Sequence, residues 1–314
     1  MDHIKFLQYL FQVQWQALHE AARKKGITLL GDLPIYVAHN SADCWAHQEL
    51  FDLLPSGLPR EVAGVPPDYF SKNGQLWGNP LYNWQAMAED GYGWWQARLE
   101  RMKALVDALR IDHFRAFAAY WAVPGNAKTA KEGTWRPGPG EALFRAVRTG
   151  LGDFPLVAED LGSLSPDVFQ LRDSLDLPGM KILQFHMKER SDGHLTFDIP
   201  ARCLAYTGTH DNNTLWGWFR EELPSWQQKQ LLQELGLPAD ASPETIVWAL
   251  LALLYSRRAE TVITPVQDLL ALGSQARMNV PGVATGNWHW QLQEGQLTPD
   301  LAEKLAALAV TYGR

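Results

Sequence analysis

Residues 109–117 read LRIDHFRAF, and this stretch decides the fold. Its apolar positions predict a buried strand, yet it carries Arg110, Asp112, His113 and Arg115. Buried charge persists in such a segment only where it is paired or has chemistry to perform. The same mixture recurs in VAEDLG, residues 157–162, and in YTGTHDNNT, residues 206–214.

Working outward, apolar strand-like segments alternate with helical ones. ITLLGDLPIYV (27–37), LRIDHF (109–114), PLVAEDLG (155–162), GMKILQFH (179–186), LAYTGTHDN (204–212) and TVITPVQDLL (261–270) read as six strands. Helical spacing predicts helices near residues 4–26, 93–108, 140–150, 165–175, 214–222, 226–235 and 243–258, with a last one from about 299. The first carries Phe6, Leu7, Leu10, Phe11, Trp15, Leu18 and Ala22 as an apolar stripe ended by Gly26. Residues from about 33 to 84 are rich in Pro, Gly, Asn and Trp and read as one long functional loop.

Strand–helix alternation implies a parallel sheet covered by helices, an α/β class. In such folds function gathers at the carboxyl ends of the strands. Asp32, Asp112, Glu159 and Asp211 each end a predicted strand, which favours a (β/α)8 TIM-type barrel over a doubly wound sheet. Only six strands are found, two short of a barrel. The expectation is one catalytic domain over residues 1–314 with the long insertion at about 33–84.

Composition narrows the function classes. The 314 residues are 46% hydrophobic and 20% charged, with a formal net charge of −7 and no basic block, which argues against nucleic acid. Cys44 and Cys203 have neither disulfide nor metal-ligand spacing. MDHIKFLQYLFQ does not read as a signal peptide, and the apolar run around 246–255 is too short for a membrane span. A soluble, cytoplasmic chain is expected. Fourteen Trp is high, and several lie among turn residues in QLWGNPLYNW, GTWRPG, TLWGW and GNWHW. Some of these rings cap the core; the others offer flat platforms that suit the apolar face of a sugar.

Side chains at i and i+2 of a strand share a face, so Arg110 and Asp112 project together. A guanidinium there keeps the carboxylate ionised, as a nucleophile requires, although a structural ion pair has the same residues. Glu159 follows Leu156, Val157 and Ala158, and desolvation there would raise its pKa into the range of a general acid. Two carboxyls with divergent pKa among Trp and Asn fit a retaining glycosidase or transglycosylase.

The segments GDLPIYVAHNSADCWAHQELF (31–51), AGVPPDYFSKNGQLWGNPLYNW (63–84), LRIDHFRAF, VAEDLG and YTGTHDNNTLWGW (206–218) together resemble the 4-α-glucanotransferases, the amylomaltase family of the α-amylase clan. The motifs occur in the family's order over nearly the whole chain. The resemblance implies transfer of an α-1,4-glucan segment to the 4-OH of an acceptor, with Asp112 as nucleophile and Glu159 as acid/base. It assigns Asp211 to the 2- and 3-hydroxyls of the distorted sugar, and Asp32, Arg110 and His210 to support around that ring. Tyr69, Phe70, Trp77 and Asn79 would contact glucan, as would Asn287 on a weaker match. It implies maltooligosaccharide or α-1,4-glucan partners and no cofactor or metal. Family members carry more sequence before ITLLGDLP, so the six strands correspond to an incomplete barrel lacking its first two. The missing N-terminal portion of the same enzyme is then itself a partner. Two other readings remain open: a metal-dependent barrel hydrolase using Asp32, Asp112, His113, Glu159, His186, His210 and Asp211, and an inactive glucan-binding remnant.

Overall fold

The structure, a computed structural model, describes residues 2–67, 71–162, 164–189, 195–283 and 285–314. The chain divides into two units, Met1–Gly179 and Met180–Arg314.

The first unit contains β1 (Leu30–Leu33), β2 (Glu61–Val65), β3 (Gln75–Pro80), β4 (Ala108–Ile111), β5 (Ala119–Pro124), β6 (Thr134–Pro137) and β7 (Leu156–Ala158). β1, β4 and β7 form a parallel sheet with β4 in the centre. A central parallel strand is covered on both faces, and Leu109, Arg110 and Ile111 are all buried accordingly. Helix Gly93–Lys103 leads into β4 and buries Trp95 and Leu99, four residues apart on one face. Helix Glu141–Leu151 leads towards β7 and buries Leu143, Phe144 and Val147. Its chain leaves through Gly152 at φ 66°, a left-handed conformation that glycine adopts without a Cβ penalty. Trp95 packs edge-on to Tyr82, Trp94 and Phe117, so several of the many tryptophans belong to an aromatic core.

The segment expected to be a long loop, about 33–84, is partly a sheet. β3, β2, β5 and β6 form a four-stranded antiparallel sheet, in which Ala63 opposes Ala122 and Trp121 opposes Trp135. Its strands contain Gly64, Gly78, Pro80 and Pro124, which hide the two-residue alternation. Gly64 has a specific reason: a Cβ there would lie 2.5 Å from the Gln75 carbonyl oxygen of the paired strand.

The first helix, Asp2–Lys24, buries only His19 and Ala22. The indole of Trp15 ties it to the unit by donating to the Leu105 carbonyl (2.8 Å). Most of the rest of the expected stripe is open: Leu10 is half-buried, but Leu18 is 57% exposed, and Phe6, Leu7 and Phe11 are about as open.

The second unit contains β8 (Gly179–Ile182), β9 (Met187–Glu189), β10 (Leu195–Phe197), β11 (Cys203–Tyr206) and β12 (Thr261–Ile263). β8, β11 and β12 form a three-stranded sheet in which β11 and β12 run parallel, and β9 and β10 are an antiparallel pair. The six expected strands therefore exist as two three-stranded sheets, one per unit, beside antiparallel strands that were not expected. Helix Pro243–Tyr255 starts at Ser242, whose hydroxyl accepts from the Thr245 N–H (3.2 Å), and buries Ile246, Val247, Leu250, Leu251 and Leu254. Three expected strands end early. GMKILQFH turns helical at Leu183–His186, LAYTGTHDN stops at Tyr206, and TVITPVQDLL is a strand only over Thr261–Ile263 before turning helical at Val266–Leu269. Asp211 therefore belongs to a turn rather than to a strand end. The expected helix at 214–222 is Leu215–Gly217 followed by a π-helical turn, Trp218–Glu222.

Candidate active site

Parallel register places Asp32 of β1 beside Arg110 of β4. The Arg110 guanidinium donates through Nε to Asp32 Oδ1 (2.9 Å) and through Nη2 to Asp32 Oδ2 (2.6 Å). The same Nη2 also donates to Asp112 Oδ1 (3.0 Å), as the shared face of residues i and i+2 allows. Burial alone would lower the Arg110 pKa, but the Asp32 bonds and charge, with Asp112 and Glu159, outweigh it and hold the cation above its ordinary value. The Asp112 side chain remains 39% accessible, so one carboxylate is fixed by a buried cation and still open to a ligand.

Glu159 follows β7 and is gripped by main-chain groups. Its Oε2 accepts from the His113 N–H (2.8 Å) and its Oε1 from the Leu161 N–H (3.0 Å). The Glu159 backbone bonds the same turn, donating to the Ile111 carbonyl (3.0 Å) and accepting from the Phe114 N–H (3.2 Å). Burial pushes the Glu159 carboxyl up to about 8 from its ordinary 4.5, and the Asp112 charge adds to the rise. Arg110 and the two N–H donors oppose the rise without cancelling it. At neutral pH this carboxyl keeps its proton.

His113 takes φ 49°, the left-handed region that side chains other than glycine enter infrequently. This turn aims its N–H at Glu159. Burial, then the Arg115 charge, push the imidazole down to about 4, so the ring is neutral at pH 7, and it stands edge-on to Trp77 with centroids 4.8 Å apart. Arg115 lies 3.7 Å from the centre of the Trp135 ring and donates to Ser165 Oγ (3.3 Å). Every charge in LRIDHFRAF thus has a partner. Asp160, next to Glu159, is buried and pairs with Arg172 (2.5 Å).

Trp77 is partly exposed and donates its indole N–H to Gln75 Oε1 (3.1 Å). Asn79 donates to the Val37 carbonyl (3.0 Å), which ties β3 to the segment after β1. Tyr69 and Phe70 lie outside the described residues.

His210, Asp211 and Asn287 belong to the second unit. Asp211 Oδ1 accepts from Asn279 Nδ2 (2.6 Å), and His210 Nε2 lies 3.4 Å from Asp211 Oδ2. The His210 ring packs against Trp288 with centroids 5.2 Å apart. The Asn287 amide closes its own loop, accepting from the Val280 N–H (3.0 Å) and donating to the Val283 carbonyl (2.7 Å). Below the turn, the buried Asp268 accepts from Thr207 Oγ1 (2.6 Å) and from the Leu215 N–H (2.7 Å). Asn279, Arg277 and Asp268 were not singled out in the sequence. RMNVPG (277–282) and VQDLL (266–270) carry no motif, and only a polar pair before Pro-Gly hinted at a built turn. Among the described residues, no three His, Cys, Asp or Glu side chains gather in an arrangement that could hold a metal.

A carboxylate bonded to a buried guanidinium, beside a carboxyl that carries its proton at neutral pH, can attack a saturated carbon and protonate its leaving group. Comparison with known proteins bears on which reaction this is. The family model for 4-alpha-glucanotransferases matches residues 1–298, and the chain belongs to that family. It is 46% identical over 309 residues to the 4-alpha-glucanotransferase of Thermus thermophilus, covering 97% of this chain and 62% of that protein. It is 44% identical over 311 residues to the chloroplastic/amyloplastic 4-alpha-glucanotransferase DPE1 of Arabidopsis thaliana, covering 98% of this chain and 53% of the relative. Among solved structures it is similar to the amylomaltase from Streptococcus agalactiae in complex with acarbose, at TM-score 0.91 and 38% identity, over 98% of this chain and 62% of that one. The chain therefore spans between about half and three-fifths of these relatives' length. Among the described residues, no helix is long and apolar enough to cross a membrane.

Proposed function

We propose that this chain provides the catalytic part of a cytoplasmic 4-α-glucanotransferase with a (β/α)8 barrel architecture. Its substrates are α-1,4-glucans and its mechanism is a retaining double displacement. The Asp112 carboxylate attacks C1 of the donor glucose. The bond from C1 to the leaving O4 breaks as Glu159 gives that oxygen its proton, which leaves a glucosyl ester on Asp112. The 4-OH of an acceptor glucan then attacks C1, its proton passes to Glu159, and Asp112 departs as carboxylate. Asp211 holds the 2- and 3-hydroxyls, with Asp32, Arg110 and His210 around the same ring. Trp77, Asn79, Tyr69, Phe70 and Asn287 contact the glucan. An aromatic cover that limits water favours a sugar hydroxyl as acceptor.

One observation carries the reading. Asp112 is held by the buried Arg110, while in the same unit burial and the Asp112 charge push Glu159 up to about 8. Nucleophile and acid are thereby told apart by their surroundings. The exposed apolar face of helix Asp2–Lys24 fits a second element of the proposal. It docks a polypeptide equivalent to the part of the relatives outside the match, because an apolar helix face in water is a binding surface.

The test is incubation of the chain with maltotriose, alone and with that polypeptide supplied, with glucose and longer oligosaccharides followed by chromatography. Glucose together with a ladder of longer products supports transfer. Glucose and maltose alone mean hydrolysis. Retained glucan binding with no turnover in both samples supports the inactive remnant instead. Loss of turnover with retained binding in Asp112→Asn separates chemistry from recognition.

A further inference from the structure

We propose that Asn279 and Arg277 are positioning residues for Asp211, fixing both its carboxylate and its main chain. The proposal rests on the reading above, in which Asp211 binds the 2- and 3-hydroxyls of the reacting sugar.

The segment from Arg277 to Asn279 holds the His210–Asp211 turn through both main chain and side chain. The Asn279 N–H donates to the His210 carbonyl (3.0 Å), and its Nδ2 donates to Asp211 Oδ1 (2.6 Å). Arg277 Nη2 donates to the Asp211 carbonyl (2.7 Å), and its Nε donates to the Asn279 carbonyl (2.8 Å). The remaining nitrogen, Nη1, faces Glu222 Oε1 at 3.7 Å. The Arg277 guanidinium thus bonds two carbonyls, with its charge facing Glu222, while the Asn279 amide meets the Asp211 carboxylate.

Trp288, at φ 64°, donates its N–H to the Met278 carbonyl (2.7 Å) and lays its ring against His210. Asn287 bonds back to Val280 and Val283. The clamp is therefore a folded loop whose two ends both contact the turn it holds. Groups that act only when the sugar distorts must be held to within a fraction of an ångström, so a loosened Asp211 costs rate more than ground-state affinity.

The experiment compares the wild type with Asn279→Ala and Asn279→Ser on two donors, α-maltosyl fluoride and its analogue deoxygenated at C2 of the reacting ring, with a circular-dichroism melt as the folding control. Asn279→Ala is expected to lower kcat by about 10- to 100-fold on the full donor with KM changed by less than about threefold. On the 2-deoxy donor, which has lost a hydroxyl that Asp211 serves, the effect shrinks. Asn279→Ser, which keeps a donor, recovers part of the rate. Independently of turnover, ¹³C NMR of the Asp211 carboxylate should show proton uptake at higher pH in Asn279→Ala than in wild type, because a bond to the charged form is lost. A wild type that transfers no glucan, with that NMR change present, refutes the functional reading and leaves the positioning intact. An equal rate loss on both donors, or an unchanged Asp211 titration, overturns the positioning.

Discussion

Replacing Asp112 by Asn should move the titration of Glu159, and the structure gives both sign and size. Asparagine keeps the volume of Asp112, and its oxygen can still accept from Arg110 Nη2, so the local geometry survives while one negative charge is removed. Burial is the larger cause of the Glu159 rise and the Asp112 charge the next, while Arg110 opposes both. The substitution removes the second cause and frees more of the Arg110 field to act on Glu159, so both consequences lower the midpoint. A close like charge raises a carboxyl by about 1 to 3 pH units, and part of that is already offset by the guanidinium. The midpoint should therefore fall by about one to two pH units from its value near 8 and stay above the ordinary 4.5, because burial persists. That change corresponds to about 1.4 to 3 kcal/mol of interaction between the two protonation states. The assay is ¹³C NMR of side-chain-labelled glutamate between pH 4 and 9.5, with Glu159 assigned by its loss in Glu159→Gln. Stability follows with a fixed sign. A carboxyl whose folded pKa is raised contributes stability that is fully present below about 4.5 and is lost as pH rises through about 8. In Asp112→Asn this loss should be complete at a lower pH. An unmoved Glu159 midpoint would show that Asp112 does not act on it, and a wild-type midpoint near 4.5 would remove the assignment of Glu159 as proton donor.

Two further predictions concern groups that hold each site. Arg110→Lys keeps the charge but cannot make the two-pronged bond to Asp32 while also reaching Asp112, so transfer activity should fall by about 100-fold or more with the fold retained, read by kcat/KM beside a melting curve. Asp268→Ala strands the Leu215 N–H and the Thr207 hydroxyl in the interior and should cost about 3 kcal/mol by denaturant titration, whereas Asp268→Asn should cost less than half of that. Burial pushes Asp268 up to about 6, so its contribution to stability is present below about 3.8 and lost as pH rises through about 6; that dependence should vanish in Asp268→Asn.

What the sequence reveals depends on which physical rule a residue breaks. Arg110, Asp112 and Glu159 stand out because charge in an apolar strand violates the burial rule, and the parallel sheet around them follows from strand–helix alternation. The antiparallel sheet within residues 61–80 is hidden because its strands carry Gly64, Gly78 and Pro80, residues that in a sequence mark turns. Gly64 is there for the close approach of the Gln75 carbonyl, a contact made by distant chain that no local pattern encodes. The helix Asp2–Lys24 fails in the opposite direction. Its apolar stripe is plain in the sequence, but a periodic stripe states that a face seeks cover and not what covers it, and most of that face is open to solvent.

The holding groups are illegible for a deeper reason. In the first unit the Glu159 carboxyl is oriented by the N–H groups of His113 and Leu161. In the second, the Asp211 turn is oriented through its own carbonyl and that of His210, by Arg277 and by the Asn279 main chain. Main-chain donors and acceptors are present at nearly every position, so no residue type announces that one has been recruited. Only the conformation that aims them is visible, and only where it is uncommon, as at His113 with φ 49°. A substitution that relaxes this turn without touching a charge should therefore disturb the acid. In His113→Gly the left-handed conformation is no longer strained but also no longer enforced, and the ring contact with Trp77 is gone. If the aim of the His113 N–H holds Glu159, a looser turn weakens a bond that opposes the pKa rise, and the Glu159 midpoint moves further up rather than down. A downward move would instead mean that solvent has entered and burial has been lost, so the direction alone tells which of the two controls the acid.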